Sequence, residues 1–430
     1  MRNEDRTLER LIGEFGTAIR QAGGEHLCVD FFRWCTDPRN PNRERWTRLM
    51  GLSSTHDMTV HLLRGSLSEP AVTELLDKSV TMNVYQTFEI VSDNIGFGLA
   101  AIREGDAEAA NRLTTLVGFN EAMVAALGSP SAPARRLLDG IRPSAAAVPF
   151  LEHTLGYENH LGIVSAYTAE GGTASVADVN QATWPILVAN METCRAVADA
   201  ASHSMLGGFV RDSLIARYAA VHALLTDPEM DWQRRLALSG DAILVAATLG
   251  YYVSFLLTEV PRAAEIGSAE LERLVRDCLT RCGVIVRLLN DVGTTLLTDR
   301  ESRSAWTRRL RDALRESGDT DLEGFLTRNL NGEAISTRLE KDLTYGELNL
   351  LLHGLHRRPA REAAPVLFPR LDDLAQVYAD SWRLLEKFSA ELDEALGDRR
   401  ASRMLLTFVR FHEDLYRNSF ATKAGEYSGV

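Results

Sequence analysis

The chain has 430 residues, 45% of them hydrophobic and 25% charged, which is the composition of a globular protein. No stretch approaches the ~20 uninterrupted apolar residues of a membrane span, and the charged N-terminus lacks the apolar core of a signal peptide, so we expect no membrane span and a cytoplasmic location. The net charge of −12 argues against a nucleic-acid partner, because phosphate binding needs a basic surface. Five scattered cysteines predict no disulfide framework.

Apolar residues recur at intervals of three and four along the chain, as they do between Leu271 and Leu289. This spacing is typical of α-helices, and the alternation typical of strands is nearly absent. Residues that favour turns interrupt the pattern at 129–133, 171–173, 227–228 and 318–319. With no long linker and no internal repeat, the sequence predicts one all-α domain over residues 1–430, a bundle of about a dozen helices. A polar stretch at about 300–345 is predicted to be an insertion.

An acidic pair lies in the segment Val84–Asn94, which also contains Tyr85 and Phe88. Glu89 and Asp93 are one helical turn apart on the same face, so they can reach a shared metal shell. The alternative is a solvated acidic pair. Two like charges at this spacing oppose each other by about a few tenths of a kcal/mol, and no basic residue stands nearby in the sequence, so a bound cation is expected to compensate them.

Farther along, Arg235 and Gly240 fall in a short segment that begins at Trp232. Glycine weakens a helix, so this helix is expected to loosen after Arg235. The planar guanidinium suits paired, charge-assisted bonds to phosphate oxygens, whereas the alternative is an ordinary surface arginine at a helix start. The apolar segment that follows contains Tyr252 and Phe255.

A sudden run of oxygen-bearing side chains closes the apolar helix that includes Leu289. On a regular helix these side chains form two neighbouring columns. They are Asn290, Thr294 and Thr298 in one column, and Asp291, Thr295 and Asp299 in the next. Either column presents the hard oxygens that magnesium prefers. The alternative is a set of ordinary polar residues at a helix end that bond locally.

The pattern Asn-Asp-Val-x-Thr at 290–294 resembles the second metal motif of class I terpene synthases. The family motif ends in a carboxylate at the position of Thr298, whereas this chain has its carboxylate one residue later. We favour Asp299 as the third ligand, which requires the helix to shift by about one residue, or about 100°, between Thr294 and Asp299. Gly293 makes such a distortion easier.

Weaker similarities fall in the family's order along the chain. The segment around Asn40 and Trp46 is similar to the family's N-terminal helix pair, and the acidic pair Glu89 and Asp93 is similar to its aspartate-rich motif, although Ile90 replaces the second acid. The family carries a diphosphate-binding arginine on a broken helix, which Arg235 resembles. Its C-terminal Arg-Tyr pair is similar, in reversed order, to Tyr416-Arg417.

The resemblance implies a class I terpenoid synthase fold, a helical bundle around an apolar cavity. It implies a lyase that cyclises a C15 to C20 isoprenoid diphosphate, with three magnesium ions held between the acidic pair and the Asn290 segment. Arg235, Tyr416 and Arg417 are then expected to bind the diphosphate. Four aromatic residues are expected to line the cavity, with plain core packing as the alternative for each. They are Tyr85, Phe88, Tyr252 and Phe255. The resemblance also allows a homodimer.

Two other classes stay open. A chain-elongating prenyltransferase shares the helical fold, but that class has two carboxylate-rich motifs and the Asn290 segment is poor in carboxylates. A non-enzymatic helical scaffold is favoured if the metal residues do not converge in space.

Overall fold

The computed structural model describes residues 3–96, 99, 107–129, 131–154, 157–227, 229–316, 320–330 and 334–417. Within these ranges all regular secondary structure is helical, and pairing of the strand type is limited to one isolated bridge between Asp321 and Pro359. The prediction of an all-α chain is therefore confirmed. The terpenoid synthase fold itself stays a prediction.

The chain divides into two compact units. The described residues within 1–96, 104–228 and 247–261 form the first unit, and those within 97–103, 229–246 and 262–430 form the second. A single domain over residues 1–430 stays a prediction.

The first unit contains twelve α-helices and most of a further one, α14. Their bounds are α1 Asn3–Gly23, α2 Cys28–Thr36, α3 Arg43–Leu49, α4 Leu52–Ser66, α5 Glu69–Asn94, α6 Ala107–Gly128, α7 Ala134–Leu138, α8 Arg142–Ala146, α9 Tyr157–Ala169, α10 Val176–Asn180, α11 Thr183–Ala201 and α12 Gly207–Thr226. Short 3-10 turns lie at Asp139–Ile141 and Leu151–His153.

Helix α5 lies at the centre of the first unit and packs against α1, α4 and α11. Pro70 in its first turn fits a helix start, where a backbone N–H has no helical partner. Buried residues occur on most of its circumference, including Tyr85 and Phe88. A helix buried on nearly all sides belongs to a core rather than a surface, so α5 holds Asn83, Thr87 and Glu89 inside the unit.

The second unit contains the remaining helices. Their bounds are α13 Trp232–Ala242, α15 Ser268–Val292, α16 Thr294–Thr298, α17 Arg300–Glu316, α18 Leu322–Leu330, α19 Thr337–Tyr345, α20 Ala360–Leu396 and α21 Arg400–Leu415. Helix α14, Val245–Leu257, begins in this unit and continues in the first, and 3-10 turns lie at Pro261–Ala264 and Ala334–Ser336.

Helix α15 lies at the centre of the second unit and packs against α13, α19, α20 and α21. The predicted insertion at about 300–345 contributes to this packing, because α19 contacts α15, and α17 and α18 contact α20. Helix α20 spans 37 residues and contains Pro365 and Pro369. It ends at Gly397, whose φ of 61° lies in the left-handed region that glycine adopts easily.

At each predicted turn one helix ends before it and the next begins after it, so those boundaries are confirmed. Pro130, Pro228 and the pair Gly318-Asp319 themselves lie outside the described residues. The estimate of about a dozen helices is too low, because breaks such as the one at Gly293 divide apolar segments that the periodicity alone reads as continuous.

Across the described ranges, no single helix is long and apolar enough to cross a membrane, and only the bent pair α13 and α14, taken together, meets the length and composition conditions.

Candidate functional site

The helix that carries Asn290 is broken immediately after the predicted motif begins. Helix α15 ends at Val292, Gly293 adopts φ 90° and ψ 153°, and a separate short helix starts at Thr294. Positive φ at this value strains any residue with a Cβ, so the break depends on glycine. The two columns expected from a regular helix are therefore wrong, because Asn290 and Thr298 belong to different helices.

Arg338 of α19 holds both oxygens of Asn290. Its Nε donates to the Asn290 main-chain carbonyl at 2.9 Å, and its Nη2 donates to the side-chain oxygen Oδ1. The same guanidinium lies over the ring of Tyr416, 4.7 Å from the ring centroid. The amide oxygen predicted as a metal ligand thus accepts a charge-assisted hydrogen bond from an arginine that is 3% exposed.

The other predicted oxygens of this segment also have protein partners. The buried Thr294 hydroxyl donates to the Glu413 carbonyl at 2.6 Å, and the Thr298 hydroxyl donates to the Thr294 carbonyl at 2.9 Å. Asp299 accepts hydrogen bonds from the backbone N–H groups of Glu301 and Ser302 and from the Ser302 hydroxyl. These bonds, chiefly the one from Ser302, lower the pKa of Asp299. Its carboxylate therefore caps the start of α17.

Asp291, next to Asn290, is fully buried and forms an ion pair with Arg287 at 3.0 Å. Its Oδ2 also accepts the N–H of Leu350 at 2.8 Å, and its main-chain carbonyl accepts the amide of Asn349 at 2.8 Å. Burial outweighs the attraction of Arg287 and raises the pKa of Asp291. These contacts fix the segment 349–353 against the end of α15.

The segment 349–353 also accepts hydrogen bonds from an arginine that packs against α13. Arg370 of α20 donates through Nη1 to the carbonyls of Leu351 and His353, at 3.0 and 2.8 Å. Its guanidinium lies over the ring of Trp232, 4.7 Å from the centroid. Trp232 and Arg235 are three residues apart on α13, so the contacts lead from the end of α15 to Arg235 within one unit.

Arg235 is buried, with 5% exposure, rather than a surface residue at a helix start. Helix α13 ends at Ala242, and Ile243 is extended with ψ 135°, so the helix is interrupted soon after Arg235. The loosening of the helix by Gly240 stays a prediction. Gly240 lies inside the helix and contacts Gly283, where a Cβ on Gly283 would stand 2.8 Å from the Gly240 carbonyl oxygen. The glycine pair permits close packing of α13 against α15.

The C-terminal pair lies just beyond α21. The Tyr416 carbonyl accepts the N–H of Thr294 at 3.3 Å, and its ring contacts Arg338. Arg417 is exposed, at the end of the described chain. The structure therefore brings Tyr416 to the Asn290 segment, while its role and that of Arg417 in binding diphosphate stay predictions.

In the first unit, Glu89 has a basic partner that the local sequence does not contain. Arg217 of α12 forms an ion pair with Glu89 inside the unit, where the two side chains are 8% and 6% exposed. Tyr218 and Asn190 donate to the second oxygen of Glu89 at 2.7 and 2.9 Å. Asp93 is 78% exposed, with its Oδ1 3.8 Å from Arg217. The premise that this acidic pair has no basic partner is therefore wrong, and the alternative of a solvated pair does not hold for the buried Glu89.

The aromatic residues predicted to line a cavity are packed within the first unit. Tyr85 shares a hydrogen bond of 2.8 Å with Tyr218, and Phe88 stacks on Phe15 with centroids 4.4 Å apart. Tyr252 donates to Asn83 at 3.3 Å. Phe255 is less buried and contacts Tyr251 edge to face at 4.9 Å. This packing agrees with the core alternative, and a cavity-lining role stays a prediction.

A surface cleft of about 570 Å³ lies elsewhere in the first unit. Trp34 and Tyr167 form part of its wall, and the Trp34 indole donates to Glu170 at 2.9 Å. None of the predicted site residues lines this cleft. Its wall carries charges of both signs, so it does not have the basic character that a diphosphate requires.

Magnesium takes hard oxygen ligands, so a site requires that the oxygens of the predicted ligands be available to the ion. The side-chain oxygens of Asn290 and Asp299 accept hydrogen bonds within the protein, whereas the Thr294 hydroxyl donates one and keeps its oxygen lone pairs. In the part of the chain that is described, no cluster of three or more His, Cys, Asp or Glu side chains is arranged to hold a metal ion. As arranged, the residues do not fit a magnesium site, and ligation by these residues or by Glu89 and Asp93 stays a prediction.

Three arginines at these positions were not predicted. Arg217 has a sequence signal, because an arginine within the apolar run 214–225 of α12 implies a buried acidic partner. Arg370 has none, because it lies outside the basic segment 353–361. Arg338 has none, because it lies 48 residues from Asn290. No family model, no curated protein and no solved structure matches this chain.

Proposed function

We propose that the chain is an enzyme of the class I terpene synthase type, which binds a C15 to C20 isoprenoid diphosphate and cyclises it with release of diphosphate. One observation carries the proposal. Asn290 and Arg235 are 55 residues apart in sequence, yet contacts through the segment 349–353 and Arg370 connect Asp291, next to Asn290, with Trp232, one turn before Arg235. Asn290 and Arg235 are the two second-unit residues for which the resemblance implies contact with the metal–diphosphate group.

The charge at this end of the second unit suits a leaving diphosphate. Arg235, Arg338 and Arg370 supply guanidinium groups, and a planar guanidinium makes two-pronged bonds to phosphate oxygens. Cations placed where the negative charge develops stabilise the transition state for carbon–oxygen cleavage. The allyl cation so formed must be kept from water, which requires an apolar enclosure.

Magnesium dependence is part of the proposal. The resemblance implies magnesium ions, which would add positive charge to the diphosphate. Since Asn290 bonds Arg338, its amide oxygen becomes available to a metal only when Arg338 releases it. Without a bound metal, the positive charge at this site comes from the arginines alone.

A helical scaffold without catalytic activity is the second candidate. The observation that favours it is that the Asn290 and Asp299 side-chain oxygens already accept hydrogen bonds within the protein. A chain-elongating prenyltransferase has no such support.

Incubation of the full chain with farnesyl, geranylgeranyl and copalyl diphosphates, with and without magnesium, tests the proposal by mass spectrometry of the products. A cyclised hydrocarbon supports it, a longer diphosphate indicates the elongating enzyme, and absence of product under every condition indicates the scaffold. Arg235→Lys is expected to lower turnover, because a point charge cannot reproduce the two-pronged contact. The adjacent exposed arginine gives the matched control, Arg234→Lys.

A further inference from the structure

The surface cleft of about 570 Å³ in the first unit lies within the range of about 300–1,000 Å³ that small-molecule pockets occupy. Its walls come from α2, the segment that follows α2, and the turn after α9. Trp34 is partly exposed there, and its indole N–H donates to the Glu170 carboxylate at 2.9 Å. An aromatic ring and a carboxylate therefore stand side by side in the cleft.

The charges that line the cleft leave one carboxylate without a cationic partner. Arg33 pairs with Asp30 at 2.8 Å, and Arg39 binds Asp37 through two bonds of 3.0 and 2.7 Å. Glu170 is the remaining charged side chain of the wall, and its hydrogen-bond donor is the neutral indole. Among the described residues, no lysine, arginine or histidine lies within ion-pair distance of this carboxylate. Two arginines against three carboxylates give the cleft a net charge of −1, which favours a cation.

The wall of the cleft is fixed before any ligand binds. The Tyr167 hydroxyl accepts the N–H of Thr173 at 3.0 Å, which ties the turn after α9 to that helix. Gly171 has a φ of 90°, and a Cβ on Gly172 would stand 2.3 Å from the Tyr167 ring, so the turn lies directly against the ring. The same ring contacts Trp34 edge to face, with centroids 5.5 Å apart. Little conformational entropy therefore remains to be lost when a ligand enters.

An organic cation fits this wall better than a metal ion does. The face of an indole attracts ammonium groups, and the neighbouring carboxylate attracts the same charge. A metal ion requires several available oxygen ligands, and the described part of the chain contains no cluster of three or more His, Cys, Asp or Glu side chains arranged to hold one.

We propose that Trp34 and Glu170 form a binding site for an alkylated ammonium group, with the charged nitrogen close to both side chains. Alkyl groups on the nitrogen pack against the aromatic ring, which is the mode by which aromatic residues recognise quaternary ammonium ligands. The site shares no residue with the proposed active site, so neither proposal depends on the other.

Calorimetric titration of the full chain with choline, at constant ionic strength, tests the site. The uncharged isostere 3,3-dimethylbutan-1-ol has the same shape and is expected to bind about fivefold more weakly, because it lacks the charge. Glu170→Gln keeps an acceptor for the indole N–H but removes the charge, so choline should bind about three- to fivefold more weakly. Trp34→Leu should weaken choline binding by about fivefold. Glu121→Gln, which removes an exposed carboxylate of α6 outside the cleft, is the matched control.

Equal binding of choline and its isostere, wild-type choline affinity in both Glu170→Gln and Trp34→Leu, or no saturable binding by the wild-type chain would overturn the site. If circular dichroism shows that Trp34→Leu is misfolded, the exposed Glu170 decides the matter. Two sources of the ammonium group are then separated with phosphatidylcholine vesicles. Co-sedimentation that free choline reverses identifies a lipid headgroup, whereas choline binding without co-sedimentation identifies a free small molecule.

Discussion

Gly283 of α15 faces the main-chain carbonyl of Gly240 of α13, and a Cβ on Gly283 would stand 2.8 Å from that oxygen. Real Cβ atoms do not approach a backbone oxygen so closely, so Gly283 must be glycine for the helices to pack in this way. This contact holds the helix that carries Arg235 against the helix that ends at Asn290. The relative position of two candidate site residues thus depends on a glycine pair remote from both.

Gly283→Ala is expected to force α13 away from α15. Overpacking of this kind costs about 1–3 kcal/mol, against which alanine gains about 1 kcal/mol of helix propensity. We therefore expect a lower urea midpoint together with weaker pyrophosphate binding. Gly13→Ala is the matched control: Gly13 lies inside α1 with no neighbouring atom within 4 Å of an added Cβ, so that variant should gain up to about 1 kcal/mol. Wild-type stability and affinity in Gly283→Ala would contradict the argument.

Glu89→Gln is expected to destabilise the chain strongly, because it leaves the Arg217 charge buried without its counter-charge. Removal of one partner of a buried ion pair costs about 3–5 kcal/mol. Asp93→Asn, on the same helix but exposed, should change stability by no more than about 0.5 kcal/mol. Urea unfolding of both variants measures the difference.

The metal-ligand hypothesis gives a different result for the same pair of variants. If both carboxylates bind magnesium, each substitution raises the magnesium concentration needed for half-maximal turnover. A double variant, Glu89→Gln with Arg217→Gln, separates the two roles, because removing both charges should restore part of the stability but none of the metal binding. Equal stability of Glu89→Gln and the wild-type chain would show that the ion pair between Glu89 and Arg217 does not contribute to stability.

The helical fold was predictable because its signal is local. Three- and four-residue spacing of apolar side chains records burial on one face of a helix, and turn-forming residues such as Gly171 mark the ends. The contacts of the candidate site were not predictable in the same way. Arg338 reaches Asn290 from a segment that reads as a polar insertion, and nothing in either local sequence specifies that pairing. Long-range pairing of polar groups depends on tertiary packing, which periodicity does not encode.

The helix break at Gly293 was only partly predictable from the sequence. The residue suggested a distortion, but the size of the distortion depends on what the following residues bond to. Thr294 bonds the end of α21 through both its N–H and its hydroxyl, so the chain turns there instead of continuing the helix. The two columns expected on a regular helix are therefore absent. Asn290 does lie near the end of α15, as predicted.

His160 is expected to make the first unit sensitive to acid. The side chain is fully buried, and neither ring nitrogen has a hydrogen-bond partner among the described residues. Burial, with a smaller effect of Arg45, lowers its pKa to about 4. Because the unfolded chain takes up a proton near pH 6.5 and the folded chain does not, the stability is complete above that pH and falls as the pH drops towards 4. At pH 5 the loss is about 2 kcal/mol.

His160→Leu removes that titration, so the gap between the urea midpoints at pH 7.5 and pH 5 should narrow relative to the wild-type chain. His203→Leu changes an exposed histidine and should leave the gap as it is. A gap of wild-type size in His160→Leu would mean that acid sensitivity arises elsewhere, for example at the buried His412, whose pKa burial also lowers to about 4.

The displaced carboxylate at Asp299 can be assigned by one comparison. As the N-cap of α17, Asp299 accepts two backbone N–H groups and the Ser302 hydroxyl. A serine at this position still caps a helix, whereas an alanine does not. If capping is its role, Asp299→Ser keeps a urea midpoint near that of the wild-type chain and Asp299→Ala lowers it, with both variants changing the magnesium requirement by less than about twofold.

If Asp299 is a metal ligand, serine and alanine both lack the carboxylate that a hard cation prefers, and each should raise the magnesium needed for half-maximal turnover by about 10–100-fold. Because Gly293 places Asp299 on the far side of a helix break from Asn290, and because hydrogen bonds from Ser302 and Glu301 already occupy the carboxylate, we expect the capping result.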